Sequence, residues 1–166
     1  MAVEIRTVPA ELDGQTLVLG IARDITERKR MEEKFREAEE QYRTLIENAT
    51  DAIVVAQNGH IVYRNPADLK LLGYTDEELA AQDFLAWVVP EDRARIRRYQ
   101  QQRLQGKPTP SQYEITVITR DGRRIPVELK PRVIQYRGQP ATLVMMRDMT
   151  ARKHAQEALQ KAHDES

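Results

Sequence analysis

Asp-Xaa-Thr occurs twice in this chain, as Asp24/Thr26 and as Asp148/Thr150, each where a strand-like pattern gives way to helical spacing. A carboxylate there can pair with a nearby base, and the threonine hydroxyl can cap the following helix, making the bend a hydrogen-bonded joint. Arg147 is the adjacent candidate base for Asp148. Chemistry of other kinds is thin. No nucleophile–base pair and no Gly-rich phosphate loop is visible, and His60, His154 and His163 are scattered. His163-Asp164 is a faint match to the His-acid pair of a phosphoacceptor helix, with no kinase motif after it. Arg93, Arg95, Arg97, Arg98 and Arg103 make one segment basic. Without interleaved aromatics, a solvated face or a domain-contact surface fits it better than a nucleic-acid site.

The two joints belong to a longer duplication. Residues 3–29 align without a gap on residues 127–153, and ten of the 27 positions are identical, Arg23/Arg147, Asp24/Asp148 and Thr26/Thr150 among them. Unrelated stretches would share roughly one or two. A repeat of this size marks a unit copied along an array. Residues 1–26 therefore read as the last two strands of a preceding unit, near 3–8 and 16–24, joined through Pro9 and a turn at Asp13-Gly14. Such orphan strands are expected to fray, to pair with an exposed sheet edge, or to swap onto another chain in place of 127–148.

Residues 27–47 switch to helical periodicity. Met31, Phe35, Ala38, Tyr42 and Leu45 follow a four, three, four, three spacing, the seam of a coiled coil, with Glu32/Arg36 and Glu39/Arg43 as i,i+4 pairs beside it. An amphipathic helix packed on its own domain is the plainer alternative. Ala155, Leu159 and Ala162 repeat the phase of Met31, Phe35 and Ala38, so the duplicated unit includes the helix. Residues 48–150 form the complete domain, and 151–166 begin an outgoing helix.

Within 48–150, an apolar run at 52–56, Asn58-Gly59 and a strand at 60–64 make a hairpin. Asn65-Pro66 caps a short helix, Thr75–Glu78 is a capping box, and Pro90 opens a longer helix stopping at Gly106. Strands near 113–117, 125–129 and 141–147 follow, with turns at Asp121-Gly122 and Arg137-Gly138. Two strands, three helical segments and three strands make an α+β domain, a five-stranded antiparallel sheet with helices on one face.

Composition sets outer bounds. Twenty-six basic and 26 acidic residues give zero net charge, so no global field draws in nucleic acid or anionic membrane. Cys is absent, which removes disulfides and thiolate metal sites. No apolar run is long enough to span a bilayer. A soluble, cytoplasmic segment without membrane or nucleic-acid contact is expected.

The stretches YRTLIENATDAIVV, NGHIVYRNPADLKLLGYTDEEL, VVPEDRARI, ITRDGRRIPVEL and MMRDMTARK together resemble a PAS domain with its C-terminal PAC segment, a sensory module of bacterial signalling proteins. The resemblance implies a PAS fold flanked by N- and C-terminal signalling helices, a pocket that can hold a small molecule, and a closing Asp-Xaa-Thr motif that passes the signal on. Asp148, Thr150, Asp24 and Thr26 match that motif. It implies no catalysis by this segment, and a parent such as a histidine kinase or cyclic-dinucleotide enzyme. Its cysteinyl-flavin branch is excluded because Cys is absent, and residues 91–106 hold no histidine for haem. Non-covalent FAD is compatible but disfavoured, because residues such as Trp87 and Met146 facing a core are more often packing, and no cofactor is expected.

Strand alternation places Tyr113, Ile115, Val117, Ile125, Val127, Leu129, Val144 and Met146 on a pocket wall. Leu72, Phe84, Trp87, Ile96 and Tyr99 would face them, with Tyr63, Tyr99 or Tyr113 anchoring a small, mostly apolar ligand. A filled core is the alternative. The expected function is a dimeric sensory module coupled to an output domain and further PAS units, against a ligand-free dimerisation scaffold.

Overall fold

Asp13-Gly14, Asn58-Gly59 and Arg137-Gly138 each place both residues at positive φ, the conformation of a two-residue hairpin turn whose twist matches its strands. They close three of the hairpins from which the chain is built. The computed structural model describes residues 1–166, which divide into two units, 1–45 and 46–166.

In the first unit, β1 (Val3–Leu12) and β2 (Gln15–Asp24) form a two-stranded ribbon that leads into α1 (Thr26–Glu47). The strands run further than the sequence pattern indicates, and Pro9 lies inside β1 opposite Val18 rather than in the connection. Both strands of a ribbon are edges, where proline is tolerated. The ribbon neither frays nor joins the larger sheet; its strands pair with each other over ten positions, from Val3↔Asp24 to Leu12↔Gln15. The register matches that of the second copy, which runs from Val127↔Asp148 to Tyr136↔Gln139. What the first copy lacks is cover. Val3 and Ile5 are 40% and 67% exposed, whereas their counterparts Val127 and Leu129 are 0% and 5% exposed.

The second unit contains β3 (Ala52–Gln57), β4 (His60–Arg64), α2 (Pro66–Leu72), α3 (Asp76–Ala80), α4 (Pro90–Leu104), β5 (Tyr113–Ile118), β6 (Arg124–Tyr136), β7 (Gln139–Asp148) and α5 (Thr150–Asp164). The five strands pair antiparallel in the order β4-β3-β7-β6-β5. β6 extends seven residues beyond Leu129, past Pro131. From Lys130 onward it has a neighbour on one side only, an edge position that accommodates proline. The core lies between the sheet and the helical segments and includes Val54, Leu72, Leu79, Trp87, Val117, Val127 and Met146.

One polar side chain organises the start of this unit. Asn65 is fully buried. Its Oδ1 accepts from the Ile53 and Asp68 N–H groups at 2.8 and 3.1 Å, and its Nδ2 donates to the Ile46 and Asp51 carbonyls at 3.1 Å each. It thus caps α2 and ties that helix to β3 and to the backbone preceding it. Asn65→Ala leaves several buried backbone groups unpaired and should lower stability by about 3 kcal/mol. Urea denaturation measures this, and a loss below about 1 kcal/mol would contradict the assigned role.

Candidate functional site

A cavity of about 40 Å³ lies between the sheet and α4. Hydrogen bonds from Ile118 N to Trp87 O (2.7 Å) and from Val89 N to Thr116 O (3.1 Å) pin the segment before α4 onto β5. Asp92 accepts from Thr116 N at 2.9 Å, and Arg95 Nη2 donates to Glu114 O at 2.8 Å, fixing the helix itself. Arg93 Nε reaches Val88 O at 3.0 Å, and Arg97 pairs with Asp83 at 3.3 Å. Three of the five arginines on this helix therefore secure the domain's own loops and strand edge, a use that the charge pattern alone does not reveal.

Of the side chains expected on the wall, Phe84, Trp87, Ile96, Tyr113, Ile115, Leu129, Val144 and Met146 line the cavity. Leu72, Val117, Ile125 and Val127 are core residues outside it. Tyr99 is half-buried and meets the Tyr113 ring edge-on, with centroids 5.0 Å apart at 70°. Tyr63 lies on β4, away from the cavity lining. Burial pushes the Tyr113 phenol up, with Arg103 and Arg95 pulling it back.

Val54 and Ala56 on β3, Thr142 on β7, and Gln100 and Arg103 on α4 also line the cavity, beyond the residues that strand alternation places there. Ile96, Gln100 and Arg103 are spaced four and three along one helical stripe, so helical periodicity carried a signal for the last two. Arg103 is the only charged residue on the wall. A cavity of roughly 150 Å³ is what a benzene-sized guest occupies.

β7 leaves the cavity wall at Met146 and reaches the joint two residues later. Asp148 Oδ1 accepts from Thr150 N (2.8 Å) and Thr150 Oγ1 (2.6 Å), while Met149 N donates to Pro126 O at 2.8 Å. The first copy repeats this geometry. Asp24 Oδ1 accepts from Thr26 N (2.9 Å) and Oγ1 (2.6 Å), and Ile25 N donates to Ala2 O at 2.9 Å. The capping roles are thus reversed from expectation: the aspartate satisfies the first helical N–H and the threonine donates to it. Ala2 N also donates to Thr26 Oγ1 at 3.0 Å. Pro126, at the equivalent position, has no N–H to do so.

Arg147 does not pair with Asp148. It makes a two-pronged contact with Asp51 at 3.1 and 3.4 Å, and this pairing raises the guanidinium pKa. Because the Asp51 carbonyl accepts from Asn65, the start of the domain and the end of β7 share one polar network. On α1, Met31, Phe35, Tyr42 and Leu45 are exposed and Ala38 is half-buried. The ion pairs beside them are Arg28–Glu32, Arg36–Glu40 and Glu39–Arg43. Glu32 therefore pairs back to Arg28 rather than forward to Arg36, both arrangements being i,i+4 neighbours.

A family model described as PAS fold matches residues 40–149. Sporulation kinase E of Bacillus subtilis is 26% identical over 145 residues, 87% of this chain and 19% of that protein. The methyl sulfide methyltransferase-associated sensor of Methanosarcina acetivorans is 28% identical over 127 residues, 75% of this chain and 12% of that protein. The chain therefore spans less than a fifth of either relative. Among solved structures, the PAS domain of an HTR-like protein from Haloarcula marismortui superposes with a TM-score of 0.60 at 25% identity, covering 72% of this chain and 98% of that one. A domain of a sensor histidine kinase/response regulator from Geobacter sulfurreducens gives 0.58 at 29% identity, covering 67% and 94%. No helix is long and apolar enough to cross a membrane.

The joint has a pH signature. Hydrogen bonds from the Thr26 hydroxyl, then its amide, hold the Asp24 carboxyl below the usual aspartate range. A depressed folded pKa means that protons bind more readily to the unfolded chain. The bond's contribution is therefore complete above the unfolded value of about 3.9 and is lost as pH falls through the lower folded value. Carboxyl NMR should give Asp24 a midpoint below that value, and Thr26→Val should raise it. A wild-type midpoint at or above the ordinary value would refute the assigned bonding.

Proposed function

The chain belongs to the PAS-fold family, and on that premise we propose that it is a sensory relay that turns an event in its cavity into movement of α5, which leads to an output domain. The observation that carries this is continuity along β7. Thr142, Val144 and Met146 line the cavity, and the same strand ends at the Asp148/Thr150 joint that opens α5. The sensed event must favour one of two arrangements of strand and joint, because equal affinity for both shifts nothing.

The relay acts as a homodimer. The stripe Met31, Phe35, Ala38, Tyr42 and Leu45, exposed except at the half-buried Ala38, extends along a helix of 22 residues, about 33 Å. A second copy offers a matching stripe, and burying large apolar side chains supplies the driving force. The uncovered face of β1–β2, with the register of β6–β7, further supports tandem PAS units whose helices keep the same phase. The output domain is of the kinase or cyclic-dinucleotide class, and the relay works in the cytoplasm without contacting nucleic acid. A ligand-free scaffold is the second reading, favoured by a cavity with room for little more than one water.

Two experiments test the relay. Inserting one residue after Ala151 in the full-length parent rotates α5 by roughly 100° relative to its output. Output should change severalfold, and unchanged output would overturn the register-coupled mechanism. Sedimentation at about 100 µM should give a dimer mass that Phe35→Glu reduces to monomer. A monomeric wild-type chain would remove the dimer.

A further inference from the structure

Three buried polar atoms without a hydrogen-bond partner belong to residues on the wall of one cavity: Trp87 Nε1, Arg103 Nη2 and Thr142 Oγ1. Trp87 and Thr142 are more than nine-tenths buried. They come from three separate pieces of chain: the segment before α4, α4 itself and β7. The indole and guanidinium groups only donate, and the hydroxyl is able to. Desolvated donors lacking acceptors are costly, and a guest bearing the acceptor removes that cost.

The rest of the wall narrows the guest's chemistry. It contains no aspartate, glutamate, lysine or histidine, so the Arg103 charge has no counter-ion there; the guanidinium donates to the Tyr113 hydroxyl, a neutral partner that does not balance its charge. A planar guanidinium and an unpaired indole N–H on the wall of one cavity match a carboxylate. Apart from Gln100 and the Tyr113 hydroxyl, the remaining wall is apolar and includes Ile115, Leu129 and Met146. A second carboxylate would be buried there unpaired. Size sets the last limit. About 40 Å³ exceeds the roughly 30 Å³ share of one water but falls well short of the roughly 150 Å³ taken by benzene.

We propose that the cavity recognises a short-chain monocarboxylate of two to about four carbons, its carboxylate on Arg103, Trp87 and Thr142 and its hydrocarbon end against Ile115, Leu129 and Met146. This assignment rests on the sensing reading above and names its ligand class. A guest larger than the resting cavity must part α4 from β7 to enter. That gives the ligand the unequal affinity for two arrangements which a relay requires.

Trp87 is the only tryptophan in the chain, so its emission reports from the cavity wall. The test titrates the whole chain with sodium acetate, propionate and butyrate at constant ionic strength, with propionamide, 1-propanol and succinate as comparison probes. Propionate should shift Trp87 emission saturably and raise the melting temperature. Propionamide and succinate should bind at least about tenfold more weakly, and Arg103→Gln should weaken propionate by a similar factor. Thr142→Val, nearly isosteric, should weaken it severalfold while keeping the fold, and it serves if Arg103→Gln is unstable. Equal affinity for propionate and propionamide, or undiminished propionate binding by folded Arg103→Gln or Thr142→Val protein, would overturn the assignment. If neutral probes saturate the signal independently of Arg103, the carboxylate class is wrong and a sensing cavity remains. If no probe saturates it, the assignment falls, and the insertion after Ala151 still decides the relay separately.

Discussion

A helix that begins where a strand ends starts with N–H groups that have no intrahelical partners, and something local must satisfy them. Asp148 does so by accepting both the amide and the hydroxyl of Thr150. This constraint makes β7 and α5 one mechanical element rather than two elements joined by a loose loop. It also fixes the neighbouring residue, since Met149 is buried and bonded through its amide to Pro126 on β6. A displacement of β7 at Met146 has almost no flexible chain in which to dissipate before it reaches the helix. The same bonding at Asp24/Thr26 indicates that the joint is a property of the local sequence, because it forms even where the adjoining ribbon has no core beneath it.

The second dependence is electrostatic. Arg147 and Asp51 meet at the surface, where an ion pair contributes little to stability. Its value is positional, since Asp51 is also held through its carbonyl by the buried Asn65 amide. Deeper in the domain, Arg64 and Asp68 form a buried pair at 3.0 Å. Burial pushes the Asp68 carboxyl up despite the pull of Arg64, as expected where desolvation outweighs a single partner. These contacts surround α2 and leave the α4 side of the cavity held by the arginine bonds to β5 and its preceding loop.

Most of the fold was legible because its signals are local. The X-Gly turns, Asn65-Pro66 and Thr75–Glu78 each name a conformation on their own, and alternation at 113–117 and 125–129 names a face. Elsewhere the local signal is ambiguous. Pro131 interrupts the alternation of β6, so its second half was not assigned a strand. Residues 52–56 form a continuous apolar run, which gives no facing, and Val54 and Ala56 were therefore missed on the cavity wall. Gln100 and Arg103 are polar residues on a helix, which ordinarily face water, and only their spacing from Ile96 places them inward. Arg147 was matched with its neighbour in sequence; its actual partner, Asp51, lies 96 positions away and becomes adjacent only when β3 pairs with β7.

The proposed relay requires that β7 couple the cavity to the outgoing helix. Amide hydrogen exchange of the whole chain, compared between the wild type and Val144→Phe, which crowds the cavity from β7, tests it most directly. Coupling through β7 should give severalfold faster exchange at Thr150 and Lys153, whose amides belong to the joint and the first turn of α5, with α3 unchanged as an internal reference. Unaltered exchange at Thr150 and Lys153 in a folded Val144→Phe variant would contradict it.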